Sequence, residues 1–243
     1  MIYFVGDSYT WGAGLEFEYY NKYENWDATK INFNTPPKVW LESCNYKASE
    51  HRRKNRFANL VSEQLNVSYE VINQVNGGDH ENISWLLNNQ PLQNGCDAVI
   101  VQFSQWQRSS IEFQNNQIND EEHIEQIIES QIRKCFHTAE SKGVRVFGVS
   151  WQRDTASILK EKFSDKFIPI YVEGNYYDSL SHTQPNDEFN NWRYKNPYNM
   201  RLSDVIPGVY DTHLSSEGHK ILADSIVLKL KNYVKDRKEL IRR

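Results

Sequence analysis

Two short stretches, one near each end of the chain, carry residue types that can do acyl chemistry. Gly6-Asp7-Ser8-Tyr9-Thr10-Trp11-Gly12 places a serine in a glycine-bounded turn, directly after the apolar run Ile2-Tyr3-Phe4-Val5. Such a run reads as a buried strand. A serine at the carboxyl end of a first strand, where the turn opens a helix, lies where open α/β sheets place their ligands. Its Oγ is expected in that crevice, and nearby backbone N–H groups can receive a developing oxyanion. At the other end, Asp211-Thr212-His213 supplies an imidazole and a carboxylate that can orient it, just ahead of an apolar-periodic helix. A serine needs both to act as a nucleophile near neutral pH. The order along the chain predicts Ser8 as nucleophile, His213 as base and Asp211 as the orienting group.

The elements that must position these residues follow from periodicity. Phe57, Leu60, Val61 and Leu65 recur at helical spacing, and Val67 to Asn73 reads as a second strand. It ends in the glycine-rich turn Gln74-Val75-Asn76-Gly77-Gly78-Asp79-His80, and Ile83 to Leu87 begins a short helix, so this turn is a second source of oxyanion N–H groups. Asp97 to Phe103 is a continuous apolar strand that ends in Ser104-Gln105-Trp106-Gln107-Arg108. The clearest helix runs from Glu121 to Lys142, with Ile124, Ile127, Ile128, Ile132, Cys135, Phe136 and Ala139 on one stripe. Val144 to Ser150 is a fourth strand, Phe167 to Val172 a short fifth, and a last helix from about Ser215 buries Leu222, Ile226, Leu230 and Tyr233. Five strands alternating with helices predict a doubly wound α/β fold with a parallel sheet, a three-layer sandwich in one domain spanning residues 1–243.

Two segments, about 13–55 and 173–205, lack clean periodicity and are rich in aromatic residues. They are expected to be ordered insertions over the rim of the sheet, above the strand ends. The cluster His51-Arg52-Arg53-Lys54 reads as a solvated face.

Composition excludes several classes. A net charge of -4 gives no electrostatic case for nucleic acid. No apolar run reaches membrane-spanning length. The three cysteines, Cys44, Cys96 and Cys135, have no metal or redox spacing and fit a reducing compartment. No leader precedes Ser8, which predicts a cytoplasmic protein. No fourth ligand with sensible spacing accompanies Asp211, His213 and His219, so neither a metal nor another cofactor is expected. His219 reads as a structural hydrogen-bonding residue, and Asp7 as the residue that ties the serine turn together.

Gly-Asp-Ser at the start and Asp-x-His-(x)5-His at the end together resemble the SGNH (GDSL-type) hydrolase superfamily, from residue 4 to about residue 230. The resemblance implies a flavodoxin-like strand order of 2-1-3-4-5 and a serine esterase without cofactors. It implies an oxyanion hole made by Ser8, a turn glycine (Gly77, with Gly78 the fallback) and a donor after the third strand. The superfamily's Gly-x-Asn-Asp is missing at that strand end. Ser104 takes the Asn place there, with Gln105 next to it, a version similar to SGNH-like proteins of bacteriophage genomes and one compatible with a virion-associated protein. The superfamily's usual Asp-x-x-His is shortened too, since Tyr210 occupies the usual Asp place.

Arg108, Trp11 and Trp106 are candidate substrate contacts. The abundant aromatic faces suit sugar rings, so the expected reaction is removal of acetyl or another small acyl group from a carbohydrate or small ester. Two alternatives use the same residues: an O-acyltransferase acting on a glycan, and a catalytically impaired glycan-binding or virion protein.

Overall fold

The computed structural model describes residues 1–23, 46–73, 80–90, 92, 98–104, 106, 120–150, 152–172, 174–179 and 213–241. In chain order the elements are β1 (Ile2–Gly6), α1 (Ser8–Trp11), α2 (Leu15–Tyr23), α3 (Tyr46–Asn55), α4 (Phe57–Leu65), β2 (Tyr69–Asn73), α5 (His80–Asn89), β3 (Ala98–Phe103), α6 (Glu121–Glu140), β4 (Val146–Ser150), α7 (Arg153–Lys162), β5 (Ile170–Val172), β6 (Asn175–Tyr177) and α8 (Ser216–Ile241).

β1 to β4 form one parallel sheet in the order β2-β1-β3-β4. Ile2 sits opposite Tyr69 on one side and Ala98 on the other, and Ile100 opposite Phe147. The first strand is therefore internal. Every residue of β1, β3 and β4 is buried, as expected of a parallel sheet covered on both faces. The two-residue alternation splits the core in two. Ile2, Phe4, Ala98, Ile100, Phe147 and Val149 face Phe57 and Val61 of α4 and Leu222, Ile226 and Leu230 of α8. Tyr3, Val5, Val99, Val101, Phe103 and Val146 face α5, α6 and α7 through Ile83, Leu87, Ile128, Phe136 and Leu159. Each such large apolar side chain contributes roughly 1.5–3 kcal/mol on burial. Among the described residues no helix is long and apolar enough to cross a membrane.

The expected fifth strand of the sheet is reduced to a single parallel bridge between Phe167 and Gly148. Two hydrogen bonds flank it, from Gly148 N to Lys166 O at 3.0 Å and from Ile168 N to Gly148 O at 2.8 Å. Pro169 comes next. The ladder to β4 runs through residues 166 and 168, so the proline's missing N–H faces away from β4 and removes no bond to it. β5 instead pairs antiparallel with β6, a strand that falls inside the second aromatic segment, around a turn whose Gly174 has a φ of 89°.

The first aromatic segment is helical at both described ends, as α2 and α3, and not an irregular loop. Its basic cluster is not a uniformly solvated face. Arg52 is buried and ion-paired with the fully buried Glu16. Both helices show weak hydrophobic patterning because they bury this charged pair alongside Leu15, Phe17 and Ala48.

Candidate active site

The carboxyl end of β1 delivers Asp7 and Ser8 to the rim of the sheet. Asp7 is the N-cap of α1, its Oδ1 accepting from Tyr9 N at 2.9 Å. This bond satisfies one orphan donor of the helix start and turns the chain sharply enough to leave Ser8 at the first helical position. Close approach fixes the preceding residue: a Cβ on Gly6 would lie 2.8 Å from Gln102 Oε1 and collide with Thr10 Oγ1. Thr10 Oγ1 donates to Gln102 Oε1 at 3.1 Å, and Asp7 N donates to the same oxygen at 3.4 Å, so β3 grips the serine turn through one buried amide. Gly12 closes α1 with a φ of 84°, its N–H shared between Ser8 O and Tyr9 O.

His213 comes from the other end of the chain. Its Nε2 lies 2.8 Å from Ser8 Oγ, across a separation of 205 residues. For Ser8 to donate in this bond, Nε2 must be the bare nitrogen and Nδ1 must carry the proton. The Tyr9 ring lies against the imidazole, with centroids 4.7 Å apart at 42°. The Ser8 N–H, at the first position of α1, has no acceptor among the described residues.

Ser104, at the end of β3, is buried, and its Oγ donates to Asp7 Oδ2. A hydroxyl has one proton, so in this arrangement Ser104 braces Asp7 and does not point a donor at an oxyanion. Behind it, buried His80 donates from Nε2 to Ser104 O at 3.1 Å while its Nδ1 contacts Gln131 Oε1 at 2.7 Å. Trp106 is buried too, with its indole N–H donated to Asp154 Oδ2 at 2.6 Å. Trp11 is half-buried beneath the guanidinium groups of Arg52 and Arg56, at 4.4 and 5.8 Å, and among the described residues its Nε1 has no hydrogen-bond partner. Asp211, Gly77, Gly78, Gln105 and Arg108 lie outside the described residues.

His219, one turn into α8, is fully buried, and its Nδ1 accepts from Phe57 N at 3.2 Å. Burial, then the nearby His213 and Arg56, lower its pKa to about 3. It therefore stays neutral when His213 takes up a proton, and its role is to tie α8 to the start of α4. Among the described residues, no three His, Cys, Asp or Glu side chains cluster as a metal ion would require.

The residues that sequence spacing did not single out, Gln102, Tyr9 and Glu18, all act on these segments from within. Glu18 of α2 accepts from Ser216 N at 2.7 Å and from Ser216 Oγ, three residues beyond His213. An amphipathic pattern carries no mark of such a contact.

No protein-family model matches the chain, and no curated protein does. Among solved structures it is similar to a carbohydrate esterase whose active site is described as displaying divergent catalytic and non-catalytic binding functions, at 12% identity and a TM-score of 0.49. It is also similar to the extracellular lipase of Streptomyces rimosus, at 11% identity and a TM-score of 0.47, over 95% of this chain and 98% of that one. A third is a Corynascus thermopiles (Myceliophthora fergusii) carbohydrate esterase family 2 enzyme with a carbohydrate binding domain, at 12% identity and a TM-score of 0.47. The two carbohydrate esterases are matched over 95% of this chain, which spans 64% and 66% of their length.

Proposed function

We propose that the protein is a serine ester hydrolase that removes acetyl or another small acyl group from a carbohydrate or a small ester. The observation that carries this reading is the 2.8 Å hydrogen bond between His213 Nε2 and Ser8 Oγ at the carboxyl end of an internal parallel strand. Ser8 Oγ attacks the ester carbonyl and passes its proton to His213 Nε2. The carbonyl oxygen becomes an oxyanion, received by the Ser8 N–H and, in this proposal, by the N–H of Gly77. The tetrahedral adduct collapses, the C–O bond to the alcohol breaks, and the alkoxide leaves with the proton from His213. Water then attacks the acyl-Ser8 ester, giving its proton to His213, and the carboxylic acid departs as Ser8 Oγ regains a proton. Asp211 is assigned the task of holding the His213 tautomer. The abundance of aromatic residues, with Tyr23 and Tyr46 exposed, supports a sugar as the acyl carrier.

The experiment is turnover of p-nitrophenyl acetate by the wild type beside Ser8→Ala, with phosphonofluoridate labelling read by mass spectrometry. The wild type should turn over and label on Ser8, and the variant should lose at least about a thousandfold in rate and all label. A wild type that neither turns over nor labels sinks the reading. One observation favours a second reading, a binding module on the same fold: with its hydroxyl given to Asp7, Ser104 does not replace the missing Asn donor. Loss of one oxyanion donor costs roughly 3–4 kcal/mol at the transition state. Glycan retention without ester turnover would select that reading.

A further inference from the structure

Ser8 and His213 come from opposite ends of the chain, and a base must be held within a fraction of an ångström to work. The described structure contains a closed path that could hold it. Ser8 O accepts from Gly12 N at 3.0 Å and from Ala13 N at 2.9 Å, which locks the end of α1 to the serine itself. The chain enters α2 three residues after Gly12, with Leu15 N donating to Gly12 O at 3.3 Å and Phe17 N to Gly14 O at 2.8 Å. Leu15, Glu16 and Phe17 are buried, and Glu16 is pinned by Arg52. One turn on, both oxygens of Glu18 engage Ser216: Oε1 takes the backbone N–H at 2.7 Å and Oε2 takes the hydroxyl. Three residues back along the chain is His213, whose Nε2 returns to Ser8.

A plain helix cap does not account for Glu18. α8 already has one from its own chain, since Ser215 Oγ accepts from Gly218 N at 3.2 Å and Ser215 O from His219 N at 2.9 Å. The carboxylate adds a tether from a different element, at the end of the helix where negative charge is favourable. His51 of α3 stands 3.7 Å from Glu18 Oε2 on the other side. The Tyr19 ring, its centroid 6.0 Å from that imidazole and tilted 54° to it, packs the same corner.

We propose that Glu18 is a positioning residue for the base: it fixes the segment that carries His213 relative to the turn that carries Ser8. The proposal deepens the ester-hydrolase reading and rests on it for its kinetic arm. Wild type, Glu18→Ala, Glu18→Gln and Ser216→Ala are compared on p-nitrophenyl acetate, with Ser8→Ala as the blank. Folding is followed by thermal melting, and the His213 imidazole by nitrogen-15 NMR. Glu18→Ala should lose roughly tenfold to a hundredfold in kcat, the scale of a small misplacement of a catalytic group, with KM little changed. Glu18→Gln keeps an acceptor for Ser216 N and should recover most of the loss. Ser216→Ala keeps the N–H contact and should lose less than Glu18→Ala. Should Glu18→Ala fail to fold, Ser216→Ala carries the comparison: its kcat should fall below that of the wild type and of Glu18→Gln, and a kcat equal to the wild type would overturn the proposal.

An unchanged kcat and unmoved His213 nitrogen signals in folded Glu18→Ala would also overturn it. If the wild type itself turns over no ester, the hydrolase reading fails separately. The His213 signals then decide alone: displaced in Glu18→Ala and restored in Glu18→Gln they support the tether, unmoved they end it.

Discussion

At the scale of single residues, buried His219 ties folding stability to pH. Its pKa is lowered from 6.5 to about 3, by burial first and then by His213 and Arg56. The unfolded chain therefore binds a proton between about pH 6.5 and 3 that the folded chain refuses, so stability falls as pH drops through that window. The slope from this one group is about 1.4 kcal/mol per pH unit. His219→Gln retains an acceptor for Phe57 N and removes the titration. In urea unfolding at pH 6, 5 and 4, the wild type should lose stability more steeply than the variant, by a difference that approaches that slope below pH 6, whereas parallel curves would show that His219 titrates normally. Ser8, Asp7 and His213 were legible in the sequence because a nucleophile turn and an Asp-x-His before a helix are local patterns. Gln102 and Glu18 were not, because their partners lie 95 and 198 residues away. Ser104 was found as a residue, while its hydrogen bond to Asp7 was not, since nothing local marks that contact.

Among elements, β1 and α1 behave as one unit whose join tolerates no side chain. In Gly6→Ala the new methyl must displace Thr10 or the Gln102 amide that holds Asp7 N. A cost of about 1–3 kcal/mol is expected from overpacking, read as a lowered urea midpoint, together with loss of ester turnover because Ser8 moves with the turn. A variant with unaltered midpoint and rate would show that the turn is looser than its contacts indicate. The strands of the sheet could be read in advance as short, near-continuous apolar runs, and the long helix α6 by its undiluted apolar period of 3.6. The β5–β6 pairing could not: three-residue strands carry too little period, and the informative sign was the turn glycine Gly174. α2 and α3 stayed hidden for another reason. Their packing rests on Glu16, Arg52 and aromatic rings, which a search for aliphatic stripes treats as surface.

For the whole molecule, the Arg52–Glu16 pair shows how the first segment is held down on the sheet domain. Arg52 packs on Trp11 and bonds the buried Glu16, whose carboxyl burial pushes above the usual carboxylate range in spite of the guanidinium beside it. Arg52→Met strands that carboxylate, at a cost of roughly 3–5 kcal/mol. Because the folded protein then favours the protonated acid still more, the deficit should be larger at pH 7 than at pH 5. Arg52→Met combined with Glu16→Leu should recover much of it, since an apolar pair of similar volume needs no partner. Urea midpoints of the two variants at both pH values check this; a double variant no better than the single would remove the pair from the account. The parallel, helix-covered architecture was foreseeable from the alternation of strands and helices, while the pairing at the far edge, a single bridge at Phe167, was not.

A sheet built with its first strand inside it also imposes a timetable. β1 leaves the ribosome before either of its neighbours β2 and β3 exists, and before α8 can cover Phe4. Ser8 and His213 are 205 residues apart, so at about 5–20 residues per second the base follows the serine by about 10–40 s. Until those neighbours emerge a nascent chain displays Ile2-Tyr3-Phe4-Val5 uncovered, and for the whole interval Ser8 and His213 cannot meet. Co-translational chaperone capture should therefore peak early on this chain, and any ester-cleaving capacity should switch on only as the last helix folds.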